Sequence, residues 1–165
     1  CRTRSATVRR KRPQRCIMEV SGLPFRRCDS ESISEKGGVM DVKLYKCAHC
    51  GNIAIKVVDS GVPLVCCGEP MEELVAGAVD GAFEKHVPAV TVEGSSVHVQ
   101  VGEVEHPMMD AHYIQLIVLV TEKGYQVAPL TPSDKPVATF AIAEGDAPVK
   151  VYEHCNLHGL WVKEL

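Results

Sequence analysis

The chain has 165 residues, 45% hydrophobic and 24% charged, enough for one ordinary domain plus a small module with a globular core. The formal net charge of −3 hides an asymmetry: residues 1–39 carry ten Lys and Arg against four acids, a balance of +6 that leaves −9 on the remainder. An acidic body excludes nucleic-acid binding outside the basic arm, and no stretch reaches the roughly 18 apolar residues of a membrane-spanning helix.

Residues 1–39 show neither helical nor strand periodicity and mix basic runs with Ser, Gly and Pro, so they read as a disordered extension. The stretch from Cys16 to Phe25 is interrupted by Glu19, Gly22 and Pro24 and makes a poor signal-peptide core. Met40 is a candidate initiator, which would make the preceding stretch an upstream or processed extension. Of the eight cysteines, five stand in metal-type spacings, and Cys1, Cys16 and Cys28 lie in the arm, a usage that fits a reducing cytoplasm.

Residues 40–76 read as a metal-stapled module. A short strand over residues 42–46 leads into Cys47-Ala48-His49-Cys50-Gly51, and fifteen residues separate Cys50 from Cys66-Cys67-Gly68. A C-x-x-C knuckle lets both thiolates reach one metal, and the following Gly tolerates the tight turn. Adjacent side chains on an extended strand point to opposite faces, so Cys66 and Cys67 can share that metal only if the backbone turns between them. Residues 52–58 and 62–65 are expected to form two strands joined by the Asp59-Ser60-Gly61 turn, with residues 69–81 as a connector. So few apolar residues in so short a segment leave much of the folding free energy to the metal.

Residues 77–165 begin with a loop over residues 82–88. Strand alternation follows at residues 90–92, 97–101, 113–121, 125–130, 138–142 and 149–152, with turns at Glu93-Gly94-Ser95 and Glu122-Lys123-Gly124. Scarce aromatics, at 5%, and abundant Val, Ile and Thr fit an aliphatic, mainly β core, and the strand spacing predicts an antiparallel β-sandwich.

His86, His106, His112, Cys155 and His158 are scattered through this second region. Imidazoles with one thiolate suit iron, copper or zinc and disfavour magnesium or calcium. Structural zinc sites close at four donors, so a fifth points to iron with an open coordination position.

The motifs EKHVP, HPM followed by a second His, and CNLHG, in that order, resemble the desulfoferrodoxin and superoxide reductase family of non-haem iron proteins, from about Leu44 to the C-terminus. The resemblance implies a desulforedoxin-like iron module followed by an immunoglobulin-like β-sandwich. It implies two mononuclear irons, one on Cys47, Cys50, Cys66 and Cys67 and a catalytic one on His86, His106, His112, Cys155 and His158. The activity implied is one-electron reduction of superoxide to hydrogen peroxide, with a rubredoxin-like electron donor and a homodimer. In this family's pattern Lys85 draws in the anion and Glu84 is the carboxylate that takes the sixth iron position at rest.

Of the remaining histidines, His49 and His98 read as surface residues, and His154, beside Cys155, is the rival of His158 for a ligand place. Two other functions fit the same residues: an electron carrier with two irons, and a zinc-stapled β-sandwich that binds a protein partner without catalysis.

Overall fold

The computed structural model describes residues 42–79 and 81–165, and the basic extension with Met40, Cys1, Cys16 and Cys28 lies outside the described residues. Runs of β-branched residues at period two build most of what is seen. Strands β1 (Leu44–Lys46), β2 (Ile53–Ile55), β3 (Val65–Cys66), β4 (Glu69–Pro70) and β5 (Glu72–Glu73) precede a single helical turn, α1 (Phe83–His86). Seven longer strands follow: β6 (Pro88–Glu93), β7 (Ser96–Val101), β8 (Ile114–Thr121), β9 (Tyr125–Pro129), β10 (Val137–Ala141), β11 (Pro148–Cys155) and β12 (Gly159–Glu164).

The long strands form two antiparallel sheets, of order β10-β7-β6 and β12-β11-β8-β9. Val97, Val99, Val101 and Phe140 of the first sheet pack on Ile117, Leu119, Val151 and Cys155 of the second. The result is the mainly β, immunoglobulin-like sandwich that the alternation and the family resemblance led us to expect.

Strand β12 is absent from the sequence-based expectation, and β11 runs three residues beyond it. Both misses have one cause. Glu153 and His154 are polar yet fully buried, and Leu160 and Trp161 are adjacent yet both buried, so the hydrophobic alternation that marks a strand is broken at these places.

The N-terminal module departs further from expectation. Residues 52–58 and 62–65 do not pair with each other. Strand β2 pairs with β1, which also pairs with β5, while β3 forms a hairpin with β4 across the second cysteine pair. The segment between β2 and β3 is instead tied off as a loop: Lys56 Nζ meets Asp59 Oδ1 at 2.6 Å and donates to the Val62 carbonyl at 2.8 Å, and the Gly61 N–H donates to Asp59 Oδ1 at 2.8 Å.

Nor does the module rely on metal alone for its core. Val42 and Leu44 are buried against Val118, Val120, Tyr152 and Leu160, with Ile53, Ile55 and Leu74 packed alongside. Successive residues of β8 thus bury opposite faces, Ile117 and Leu119 in the sandwich and Val118 and Val120 under the module. No helix among the described residues is long and apolar enough to cross a membrane.

Candidate metal centres

The first cluster is assembled by turns. Cys47, Cys50, Cys66 and Cys67 bring their sulfurs within 4.8 Å of one another, with Cys50 Sγ 3.6 Å from Cys66 Sγ and Cys66 Sγ 3.9 Å from Cys67 Sγ. All four are free thiols. The turn required between adjacent cysteines is present: Cys67 has φ 53°, the one non-glycine residue with positive φ among those described, and Gly51 and Gly68 after each pair take φ 74° and 85°.

Crowding sets the electrostatics here. Hydrogen bonding from the Cys50 backbone lowers the Cys47 thiol to about 6, whereas hydrogen bonding with the Cys50 side chain first, then with Cys66 and Cys47, pushes Cys67 up to about 12. Four thiolates so close together need a cation to coexist, which is the donor chemistry of a four-sulfur metal site. His49 is exposed, as expected, and its Nε2 lies 3.3 Å from Glu69 Oε2 across the two knuckles.

The second cluster gathers residues from three segments. His86 closes α1, His106 and His112 lie in the loop between β7 and β8, and Cys155 and His158 flank the turn between β11 and β12. One donor atom of each lies within 4.8 Å of all the others. The rings make a closed square: neighbouring centroids are 4.9 Å (His86–His106), 4.5 Å (His106–His112), 4.8 Å (His112–His158) and 4.7 Å (His158–His86) apart, and the His86–His112 diagonal is 6.5 Å.

Local hydrogen bonds aim these rings. His86 Nδ1 donates to the Ala82 carbonyl at 2.8 Å and His106 Nδ1 to the Pro107 carbonyl at 2.7 Å, which leaves each Nε2 lone pair directed inward. Nε2 of His106 and of His112 are buried with no hydrogen-bond partner. His158 presents Nδ1, 3.0 Å from His86 Nε2 and 3.6 Å from the fully buried Cys155 Sγ.

Desolvation lowers the pKa of His86, His106 and His112, that of His106 to about 4, so these imidazoles are neutral at pH 7. Neutral, orphaned nitrogens converging beside one thiol are unsatisfied as protein alone and satisfied by a transition-metal ion, so the residues fit the implied group.

The backbone that carries His86 is held from the loop that follows β7. Val87 and Glu84 carbonyls accept from the N–H groups of Gly102 (3.3 Å) and Val104 (3.0 Å), and a Cβ at Gly102 would sit 2.6 Å from the Lys85 carbonyl oxygen. Glu84 and Lys85 are exposed on the same turn, and the charge of Lys85 reaches both His86 and His112, disfavouring their protonation. His98 is exposed and bonds Thr139 Oγ1 at 3.0 Å. His154 is fully buried but stands outside the five converging donors.

Comparison with known proteins bears on both clusters. Residues 78–164 match the desulfoferrodoxin family model, and residues 39–74 match that of the desulfoferrodoxin N-terminal domain. The chain belongs to the desulfoferrodoxin family. It is 46% identical over 124 residues to a desulfoferrodoxin of Syntrophotalea carbinolica, covering 74% of this chain and 96% of that one. It is 43% identical over 122 residues to the desulfoferrodoxin of Nitratidesulfovibrio vulgaris, covering 74% and 95%. A superoxide reductase from Treponema pallidum has a similar structure, with a TM-score of 0.66 at 35% identity over 76% of this chain and all of that one. As a desulfoferrodoxin, the chain has donor clusters for two iron centres, one of four cysteines and one of four histidines and a cysteine.

Sequence reasoning missed Trp161. Its ring stacks on His86 at 5.0 Å with planes 19° apart, its Nε1–H donates to the His158 carbonyl at 3.0 Å, and Phe83 meets it edge-on at 5.2 Å. It lies in β12, the strand without a readable pattern, and its one available signal was being the chain's single Trp, three residues after His158.

Proposed function

We propose that this desulfoferrodoxin is a superoxide reductase, in which one superoxide, one electron and two protons yield one hydrogen peroxide at an Fe(His)4(Cys) centre on His86, His106, His112, Cys155 and His158. The observation that carries this reading is the square of four imidazoles beside a buried thiol, five converging donors where a closed zinc site uses four. The likeness to a superoxide reductase over three quarters of the chain supports it. Iron held by these five donors would supply one-electron redox chemistry for a small substrate.

The chain's own residues do the rest. Lys85 is the cation that draws superoxide through the field of an acidic body, and it orders a water for proton delivery. Glu84, exposed on the same turn, is the carboxylate that would serve as a further ligand to an iron held there. The carbonyls of Ala82 and Pro107 keep His86 and His106 in the tautomer that ligates.

Cys47, Cys50, Cys66 and Cys67 hold the first iron within residues 40–76, residues 77–165 form the catalytic domain, and residues 1–39 are an extension. Electrons come from a rubredoxin-like donor in the cytoplasm, and the working form is a homodimer.

The test is product stoichiometry after pre-reduced, oxygen-free protein meets a known pulse of superoxide. One peroxide per superoxide with no dioxygen and one ferrous centre oxidised is the expected result. Dioxygen at half the superoxide consumed would mean dismutation, and no acceleration would leave an electron carrier or a binding module.

A further inference from the structure

Asn156 stands between two of the five donors, Cys155 and His158, and contributes no donor of its own. Its amide turns to the other ligand loop, with Oδ1 also 3.9 Å from the neighbouring Cys155 Sγ. Oδ1 accepts from the Tyr113 N–H at 2.9 Å, Nδ2 donates to the Ala111 carbonyl at 3.1 Å, and the Asn156 backbone N–H donates to the Tyr113 carbonyl at 3.1 Å. Ala111 and Tyr113 are the two neighbours of His112. One residue therefore fastens both flanks of His112 to the turn that carries Cys155 and His158.

The need for such a fastening follows from how the other histidines are held. His86 and His106 are aimed by ring hydrogen bonds to carbonyls of their own segments. Among the described residues none hydrogen-bonds the His112 ring. Its loop is tied locally by the pair of backbone bonds between Met109 and His112, at 3.0 and 2.9 Å, and by the Ile114 N–H on Met108 Sδ at 3.4 Å, none of which touches the ring. The direction of the His112 ring then depends on its backbone, and that backbone is positioned from 43 residues away by Asn156.

The chemistry selects the residue type. A side chain that must accept from one peptide N–H and donate to a nearby peptide carbonyl needs both functions on one planar group. A carboxylate of the same size offers acceptors alone, and a hydroxyl has too short a reach.

We propose that Asn156 is the positioning residue of the histidine-cysteine centre: it locks His112 into the imidazole square and so sets the metal affinity and ligand field of that centre. This rests on reading the cluster as a metal site. The test uses the full chain loaded with Co²⁺, whose affinity and ligand-field bands are followed at each centre by competition against a chelator. The four-cysteine centre of the same molecule is the internal reference.

For Asn156→Ala the expected result is a Co²⁺ affinity at the histidine-cysteine centre lowered by roughly 10- to 100-fold with shifted bands, and an unchanged four-cysteine centre. Asn156→Asp keeps the bond to the Tyr113 N–H but opposes the Ala111 carbonyl, so it should fall between wild type and Asn156→Ala. Wild-type affinity and bands in Asn156→Ala would overturn the proposal. So would equal losses at both centres, which mark a general effect on folding. A wild-type chain that takes up Co²⁺ only at the four cysteines would overturn the reading of the cluster itself, and this inference with it.

Discussion

The two donor clusters of this chain are built in opposite ways. The four cysteines lie within 21 consecutive residues, two of them exposed, and tight turns with positive φ at Cys67, Gly51 and Gly68 bring them together. The other five donors are spread over 73 residues, come from α1, the loop between β7 and β8, and the end of β11 with the turn after it, and are mostly buried. A local site needs only the right turns. A dispersed one needs the whole sandwich in register, because each strand end must arrive with its donor facing inward. The second arrangement costs more chain and in return buries His86, His106 and Cys155, and desolvation lowers the pKa of His86, His106 and His112.

Breaking the dispersed centre without touching the local one should be possible at Gly102, where the largest effect is expected. A Cβ there meets Val104 O at 2.5 Å and Lys85 O at 2.6 Å on a backbone of φ 79°. The left-handed backbone alone costs about 1–2 kcal/mol with a side chain, and the turn bearing His86 must also move. Gly102→Ala should lose metal from the histidine-cysteine centre while the four-cysteine centre keeps its metal, as metal analysis with optical spectra would show. Retention at both would mean the turn is more tolerant than its packing suggests.

Next in size is Leu44→Ala, which opens a cavity between module and sandwich. A loss of about 2–5 kcal/mol is expected in denaturant unfolding. Because the cysteine turns close locally, metal should remain on the four cysteines even as the module loosens. Metal loss in step with unfolding would show that this centre too depends on tertiary support.

Lys85→Ala addresses function at the dispersed centre. Superoxide capture should slow by about tenfold and lose most of its salt dependence in pulse radiolysis at varied ionic strength. An unchanged rate would remove Lys85 from the mechanism.

The last effect is one of pH. Burial lowers His106 to about 4, and His86 and His112 in the same direction, so the metal-free fold gains stability as pH rises from about 4 to 6.5. Burial raises Glu153 to about 9. The folded carboxyl holds a proton that the unfolded chain releases from about 4.5 upward, so this group makes stability decline from there to pH 9. Glu153→Gln should remove the alkaline decline and leave the acid limb intact in a series of thermal melts on metal-free protein. An identical alkaline limb would show that Glu153 is not protonated in the fold.

Much of both centres was legible without coordinates. Cys47, Cys50, Cys66 and Cys67 carry their spacing in the chain, and the need for a turn at Cys66-Cys67 follows from strand geometry and appears as the positive φ of Cys67. The five dispersed donors were recognisable through three motifs in family order, including the preference for His158 over His154, and the structure brings those five together. Pairing was harder to read. Val57, Val58 and Val62 look like strand residues yet are exposed in a loop, because Lys56 and Asp59 close that loop while β1 takes β2 as its partner.

Residue type and short-range spacing are written in the sequence, since a knuckle, a turn glycine and a period of two each act within a few residues. That level determined the mainly β class, the four-cysteine cluster and the candidate donors. Only the tertiary structure decided that the module borrows its core from the outer face of the four-stranded sheet, that four rings stand in a square, and that Trp161 and Asn156 hold the ligand loops. Those are contacts between residues tens of positions apart. Their energies come from packing and from hydrogen bonds between segments, which local pattern does not encode.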